Sequence, residues 1–152
     1  MPYSYQPHHY EDFEVGQEFV SVGRTITESD LVDYASLGGD WTELHTNKEY
    51  AQEQHFGQRV AHGPLTLTIA MGLAARCGFM ERTVMGFLGI ERMDFPQPVF
   101  IGDTLSAEFT VTDLNELESR DDAGVVALEF DVENQEQERV FDSEMKFLVA
   151  RD

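Results

Sequence analysis

From Thr104 to Thr112, Leu105, Ala107, Phe109 and Val111 alternate with Ser106, Glu108 and Thr110. The same period of two returns twice. Between Val126 and Val132, Leu128 and Phe130 alternate with Ala127, Glu129 and Asp131; later, Phe141, Met145, Phe147 and Val149 are set against Asp142, Glu144 and Lys146. A period of two with one charged face predicts antiparallel strands that are packed on one side and wet on the other. The polar stretches around Asn115 to Gly124 and Asn134 to Gln137 read as the hairpin loops between them. Val84 to Phe95 supplies another strand, which Pro96 and Pro98 restrict to an edge or a bend. Glu18 to Arg24 reads as a first strand.

The stretch Pro64 to Phe79, PLTLTIAMGLAARCGF, has a different character: apart from Thr66, Thr68 and Arg76 it is apolar or small on every side. Its length exceeds a typical strand, so it is expected to be a helix wrapped by protein on nearly all faces. Pro64 suits the first helical position, which puts Gly63 at the helix start. Two shorter helices precede it. Thr27 and Asp30 form an N-terminal cap for a helix that Gly38 and Gly39 end, and Thr46 or Asn47 caps another through Glu49, Tyr50, Ala51 and Gln54, closed by Phe56 and Gly57. Residues 1 to 16 follow no period and suggest an irregular arm packed along the domain. An all-apolar helix and a set of strands with one apolar face bury each other best when the sheet curls around the helix, an α+β arrangement.

Composition narrows the function classes. At 152 residues and 41% hydrophobic content, with 11 Phe and 5 Tyr, the chain suits one domain over residues 1–152 with a real core. Twenty-nine carboxylates against ten basic groups give a formal charge of −19, and only Lys48 and Lys146 are lysines. Nucleic acid is therefore not an expected partner, because a phosphate-binding surface needs clustered Lys and Arg. A well-cored but strongly acidic chain reads instead as a surface built to hold water in concentrated salt, where carboxylate repulsion is screened. Cys77, alone in an apolar run, reads as a small buried side chain and rules out a thiolate metal cluster. With neither a basic-then-apolar leader pattern nor an apolar run of membrane-spanning length, the expectation is a cytoplasmic protein without a membrane partner.

Candidate chemistry gathers in SLGGDWTELHTNKEY, residues 36–50. A carboxylate and an imidazole, here Asp40 and His45, can divide proton work near neutral pH; an Asp after Gly-Gly is also a common turn residue. Gly63, at the start of a buried helix, offers an amide with the positive end of the helix dipole behind it, which is oxyanion-hole geometry; a helix start can equally want glycine for its backbone freedom. His62 is expected to pack near the helix start. His8, His9 and His55 lack ligand spacing and read as surface residues, so no metal is expected. Met71 and Leu73 are core residues first. Arg59, Arg76, Arg82 and Arg92 are candidates for phosphate contacts, since guanidinium forks suit phosphate.

The segment YASLGGDWTELHTNKEYAQEQHFGQRVAHGPLTL resembles the MaoC-like dehydratases, the R-specific enoyl-CoA hydratases of the hotdog superfamily. Their hallmark runs A-x-x-S/G-x-D-x-N-P-x-H, then F-x-x-x-I/V-x-H-G-M/P, and the offsets from Asp40 to His45 and from His45 to Gly63 match it. FPQPVFIGDTLSAEFTVTDL resembles the family's P-V-x-x-G-D-T-L strand entry, so the likeness covers roughly residues 11 to 149. The resemblance implies a hotdog fold, with an antiparallel sheet wrapped around one long apolar central helix, and a homodimer or higher homo-oligomer. It implies reversible addition of water to a trans-2-enoyl-CoA to give an R-3-hydroxyacyl-CoA. Asp40 and His45 would hold the water and Gly63 N–H would bind the thioester oxygen. No separate cofactor is implied, coenzyme A being part of the substrate. Here Thr42-Glu43 stands where the family has Asn-Pro. Thr42 still offers a hydroxyl, Glu43 brings another carboxylate near the site, and Trp41 takes an often aromatic position where it is expected to pack. A hotdog acyl-CoA thioesterase and a non-catalytic acyl-CoA-binding subunit are the alternative readings.

Overall fold

The computed structural model describes residues 6–152; the first five residues of the expected arm lie outside them. After a single turn of 3-10 helix at Tyr10–Asp12, the chain forms β1 (Glu18–Val20), β2 (Arg24–Thr25), α1 (Glu28–Gly38), α2 (Glu43–Thr46), α3 (Lys48–Gln52) and α4 (Gly63–Cys77). Four long strands follow: β3 (Val84–Asp94), β4 (Thr104–Glu116), β5 (Ala123–Glu133) and β6 (Arg139–Ala150). The sheet is antiparallel in the order β1-β4-β5-β6-β3, with β2 also paired to β4.

The period-two segments form the expected strands, except that Asp142, read onto the wet face, is buried at 6% exposure beside Arg92. Leu105, Ala107, Phe109 and Val111 of β4 are buried, and Phe109 pairs with Phe130, which meets it edge-on at 4.8 Å. Across β5 and β6, Val126 pairs with Phe147 and Leu128 with Met145, so one apolar face runs through the middle of the sheet. The helix α4 packs its Leu65, Ile69, Ala70 and Leu73 into the same core. It is covered less completely than the sequence suggests: Pro64, Thr68, Gly72, Ala75 and Arg76 form an exposed stripe. Pro64 is the second helical residue, not the first, and Gly78 ends the helix in the left-handed region (φ 85°).

The expected strand Glu18 to Arg24 is broken in two. The Ser21 hydroxyl accepts the Ala107 N–H at 2.9 Å, taking a position that a ladder carbonyl would otherwise fill, and the chain resumes pairing only at Arg24. Thr27 caps α1 as read, with the Asp30 carboxylate returning to its backbone, and Gly39 closes it at φ 75°. Asn47, rather than Thr46, caps α3, which ends at Gln52.

The arm does pack along the sheet. Both faces of β5 are buried at its start because Tyr10 lies over Gly124. A Cβ on Gly124 would sit 2.3 Å from the Tyr10 ring, inside any permitted contact. Gly124→Ala is therefore expected to cost about 1–3 kcal/mol by overpacking, read as a lowered melting temperature; removing the ring as well, in Gly124→Ala with Tyr10→Ala, should recover none of the arm's packing. His8, expected at the surface, is half-buried between the Phe13 and Phe19 rings, with both centroids 5.3 Å away. Among the described residues, no helix is long and apolar enough to cross a membrane.

Candidate active site

Local hydrogen bonds build the loop that carries Asp40. Once Gly39 has turned the chain out of α1, Asp40 Oδ1 accepts from the Thr42 hydroxyl at 2.6 Å and from the Thr42 N–H at 3.2 Å. That Asx-type turn starts α2, a four-residue helix too short to show in the hydrophobic period. The Thr42 hydroxyl thus works on the aspartate itself. Its two bonds, with a smaller contribution from the neighbouring imidazoles, hold the Asp40 carboxyl below its ordinary value. Thr42→Val should therefore let Asp40 protonate at higher pH than in the parent, since a donor to the charged form is lost; carboxyl carbon-13 titration reads the shift, and an unmoved midpoint would contradict it.

α2 carries His45 to the rest of the site. His45 Nδ1 lies 2.7 Å from the Val60 carbonyl, which can only accept, so Nδ1 bears the hydrogen. Val60 is itself pinned by a bridge to Phe100 and by Ala61 N–H donating to Val99 O at 2.7 Å. In the neutral ring Nε2 is then a lone pair, and it lies 4.0 Å from Asp40 Oδ2. Asp40 is half-exposed and His45 mostly covered. Glu43 is turned aside: its carboxylate accepts from the Asn47 side chain at 2.7 Å along the same short helix. Trp41 is 52% exposed and does not pack as expected.

Gly63 is the first residue of α4, so no helical residue four places back can take its N–H. It lines a cavity of about 320 Å³ together with Thr66, Phe95, Val99 and Val140, a largely apolar space at the positive end of the helix. A Cβ at Gly63 would come 3.3 Å from the Phe95 ring, so the glycine also sets the width of that cavity mouth.

His62 packs at the start of α4, as expected, and also reaches the other two site residues. It is 1% exposed; its Nε2 lies 3.0 Å from the Asp40 carbonyl, and its ring stacks on His45 with centroids 3.9 Å apart and planes 27° from parallel. Burial first, and the neighbouring His45 as well, lower its pKa from the ordinary value. Donor atoms of Asp40, His45 and His62 lie within 4.8 Å of one another. Rings so nearly parallel send their in-plane lone pairs side by side, whereas metal bonds of about 2.1 Å require them to converge. The one signal for His62 in the sequence is its place directly before the helix-start glycine.

The arginines named as phosphate candidates divide. Arg92 meets Asp94, Glu129 and Asp142, and Arg59 donates to Glu28 at 2.8 Å. Arg82 sits at a turn with φ 69°. Arg76 is exposed on α4, and Lys48 lines a cleft with Arg59 beside α3.

Comparison with known proteins places this arrangement. The (R)-specific enoyl-CoA hydratase of Rhodospirillum rubrum is 37% identical over 107 residues, 70% of this chain and 72% of that protein. Protein MaoC of Klebsiella aerogenes is 36% identical over 102 residues, 67% of this chain but 30% of its own length. Among solved structures, an Archaeoglobus protein described as a monoamine oxidase regulatory protein superposes with a TM-score of 0.88 at 32% identity, over 96% of each chain. A Mycobacterium tuberculosis protein with a double hotdog fold superposes with a TM-score of 0.85 at 18% identity, over 96% of this chain and 45% of that one, which gives the sheet and helix described above their name. Residues 12–134 match the MaoC like domain, and the chain belongs to that family.

Proposed function

We propose that this chain is a hydratase that adds water reversibly to a trans-2-enoyl-CoA, giving an R-3-hydroxyacyl-CoA. The observation that carries the reading is the 4.0 Å gap between His45 Nε2 and Asp40 Oδ2. Two acceptors that share the two hydrogens of one water, each about 2.8 Å from its oxygen, stand roughly 4.4 Å apart. Each group's remaining capacity is already committed, His45 Nδ1 to Val60 and Asp40 Oδ1 to Thr42. A water held this way presents its lone pairs outward to the substrate.

In the forward direction the water oxygen bonds to C3, one of its hydrogens passes to Asp40 or His45, and the C2–C3 π electrons move toward the thioester oxygen. Gly63 N–H stabilises that enolate, whose charge develops only as the reaction proceeds. A proton delivered from the acid–base pair to C2 completes the addition, so the product carries the elements of one water. The apolar cavity beside Gly63 receives the acyl chain. Coenzyme A enters as part of the substrate and no other cofactor is needed. We read the chain as one hotdog domain, working as a homodimer in fatty-acyl metabolism in the cytoplasm; its −19 charge suits a salt-rich interior.

Incubation with crotonyl-CoA tests the reading. Loss of enoyl absorbance without free thiol is expected; thiol release would instead mark a thioesterase, and tight binding without turnover a non-catalytic acyl-CoA-binding subunit.

A further inference from the structure

We infer that His62 is a positioning residue, a single imidazole that ties the Asp40 loop to the first turn of α4 and supplies a flat floor for the His45 ring. What the positioning serves rests on the hydration reading above; the placement itself does not. Among the described residues, the hydrogen bonds made by Asp40, Trp41 and Thr42 stay within residues 40–46, with one exception. The exception is the bond that His62 Nε2–H donates to the Asp40 carbonyl at 3.0 Å. The loop bearing the carboxylate is otherwise exposed and fastened only to itself and to α2.

His62 directly precedes Gly63, so any shift of the loop against His62 is a shift against the helix-start amide. The same side chain therefore sets the distance between the water-holding pair and the group that receives the enolate charge. Its ring does a second task. His45 lies flat on it at 3.9 Å, and the Tyr34 ring approaches it at 4.8 Å, so His45 cannot tilt toward α4 without displacing a buried side chain. The tautomer follows from the partners: a carbonyl only accepts, so the hydrogen is on Nε2, and Nδ1 is left buried with no partner among the described residues. A second hydrogen on Nδ1 would have nothing to donate to. The ring stays uncharged between Asp40, His45 and Tyr34, the titratable groups that face it.

Three proteins separate this role from simple packing: the parent, His62→Phe and His62→Gln. Phe preserves a flat ring without a donor, whereas Gln carries an amide N–H at nearly the reach of Nε2 and no ring. With crotonyl-CoA, His62→Phe is expected to lose kcat on the order of 100-fold, the usual effect of misplacing a reacting group by about an ångström, while KM moves by less than about threefold. His62→Gln should recover at least about tenfold of that loss. Full kcat in a folded His62→Phe overturns the assignment, as does a Gln variant no better than Phe. Should Phe fail to fold, the Gln variant decides alone, supporting the role if kcat stays within about tenfold of the parent and overturning it if the loss reaches 100-fold. A readout independent of activity guards against a wrong substrate: long-range proton–nitrogen spectra of the parent's rings should show His62 as the neutral Nε2–H form, titrating below its ordinary value. An Nδ1–H ring, or one that titrates normally, overturns the placement even if hydration stands, and the expected ring in a protein inert toward crotonyl-CoA sinks the hydration reading alone.

Discussion

Asp40→Asn and His45→Ala are each expected to lower kcat/KM for crotonyl-CoA by roughly 1,000-fold, within the usual range for losing a positioned acid or base. Both should leave the fold intact, for reasons visible in their contacts. Asn at position 40 keeps an oxygen for the Thr42 hydroxyl and N–H, so the turn survives while the charge and one acceptor are lost. Alanine at position 45 leaves the Val60 carbonyl without its imidazole donor, a cost of about 1 kcal/mol at a mostly covered site. The double variant carries the sharper test. If both groups grip one water, removing the second should add little to removing the first, because the unit is already broken. Losses that multiply, or a single variant that keeps its activity, would mean that the 4.0 Å pair does not hold the attacking water.

Which parts of this molecule could be read in the sequence, and which could not, follows from the range of the interactions that set them. β4, β5 and β6 were legible because alternation is imposed on each strand by its own two faces. α4 was legible because fifteen residues with a single charge, Arg76 in the last turn, have few alternatives to a largely buried helix. Asp40, His45 and Gly63 stood out only through their resemblance to the family motif, since an aspartate after Gly-Gly and a glycine at a helix start have ordinary structural uses. The break between β1 and β2 was not legible, since a serine hydroxyl replaces a ladder carbonyl only once Ala107 lies opposite it. Nor was the stacking of His62 on His45, where two segments of opposite ends of the loop system meet through burial that neither encodes locally. On β3 the period itself is altered. Register shifts follow Val84, Phe87 and Ile90, so residues paired with the core-facing Val149, Phe147 and Met145 recur every third position instead of every second.

That bulged strand leads to the second large effect: Leu88→Asp is expected to weaken self-association by at least about 100-fold, which light scattering across a concentration series would read as dimer giving way to monomer. Among the described residues, β3 ends the sheet, paired on one side to β6 alone. It nevertheless exposes Met85, Phe87, Leu88, Ile90 and Met93, with Leu88 at 53%. An apolar strand with a free edge is an aggregation hazard unless something covers it, and a second copy meeting it about a two-fold axis closes the surface without leaving another edge. In the proposed homodimer a two-fold would also double the penalty of any change, since one substituted carboxylate would confront the same strand of its partner. Leu88 suits the test because it is exposed at a bulge, whereas Phe87 leans on Phe147 at 5.3 Å and would disturb the protomer. The acidic surface adds a dependence on salt. Each protomer carries a formal −19, so bringing two together in dilute buffer works against long-range repulsion, whose reach salt shortens to about 10 Å at 0.1 M and about 3 Å at 1 M. Dimer affinity and melting temperature should both rise with sodium chloride over that range. A parent protein that is monomeric at micromolar concentration in high salt would remove β3 as the pairing edge, and one that is most stable in dilute buffer would show that carboxylate repulsion is not what its surface is built to manage.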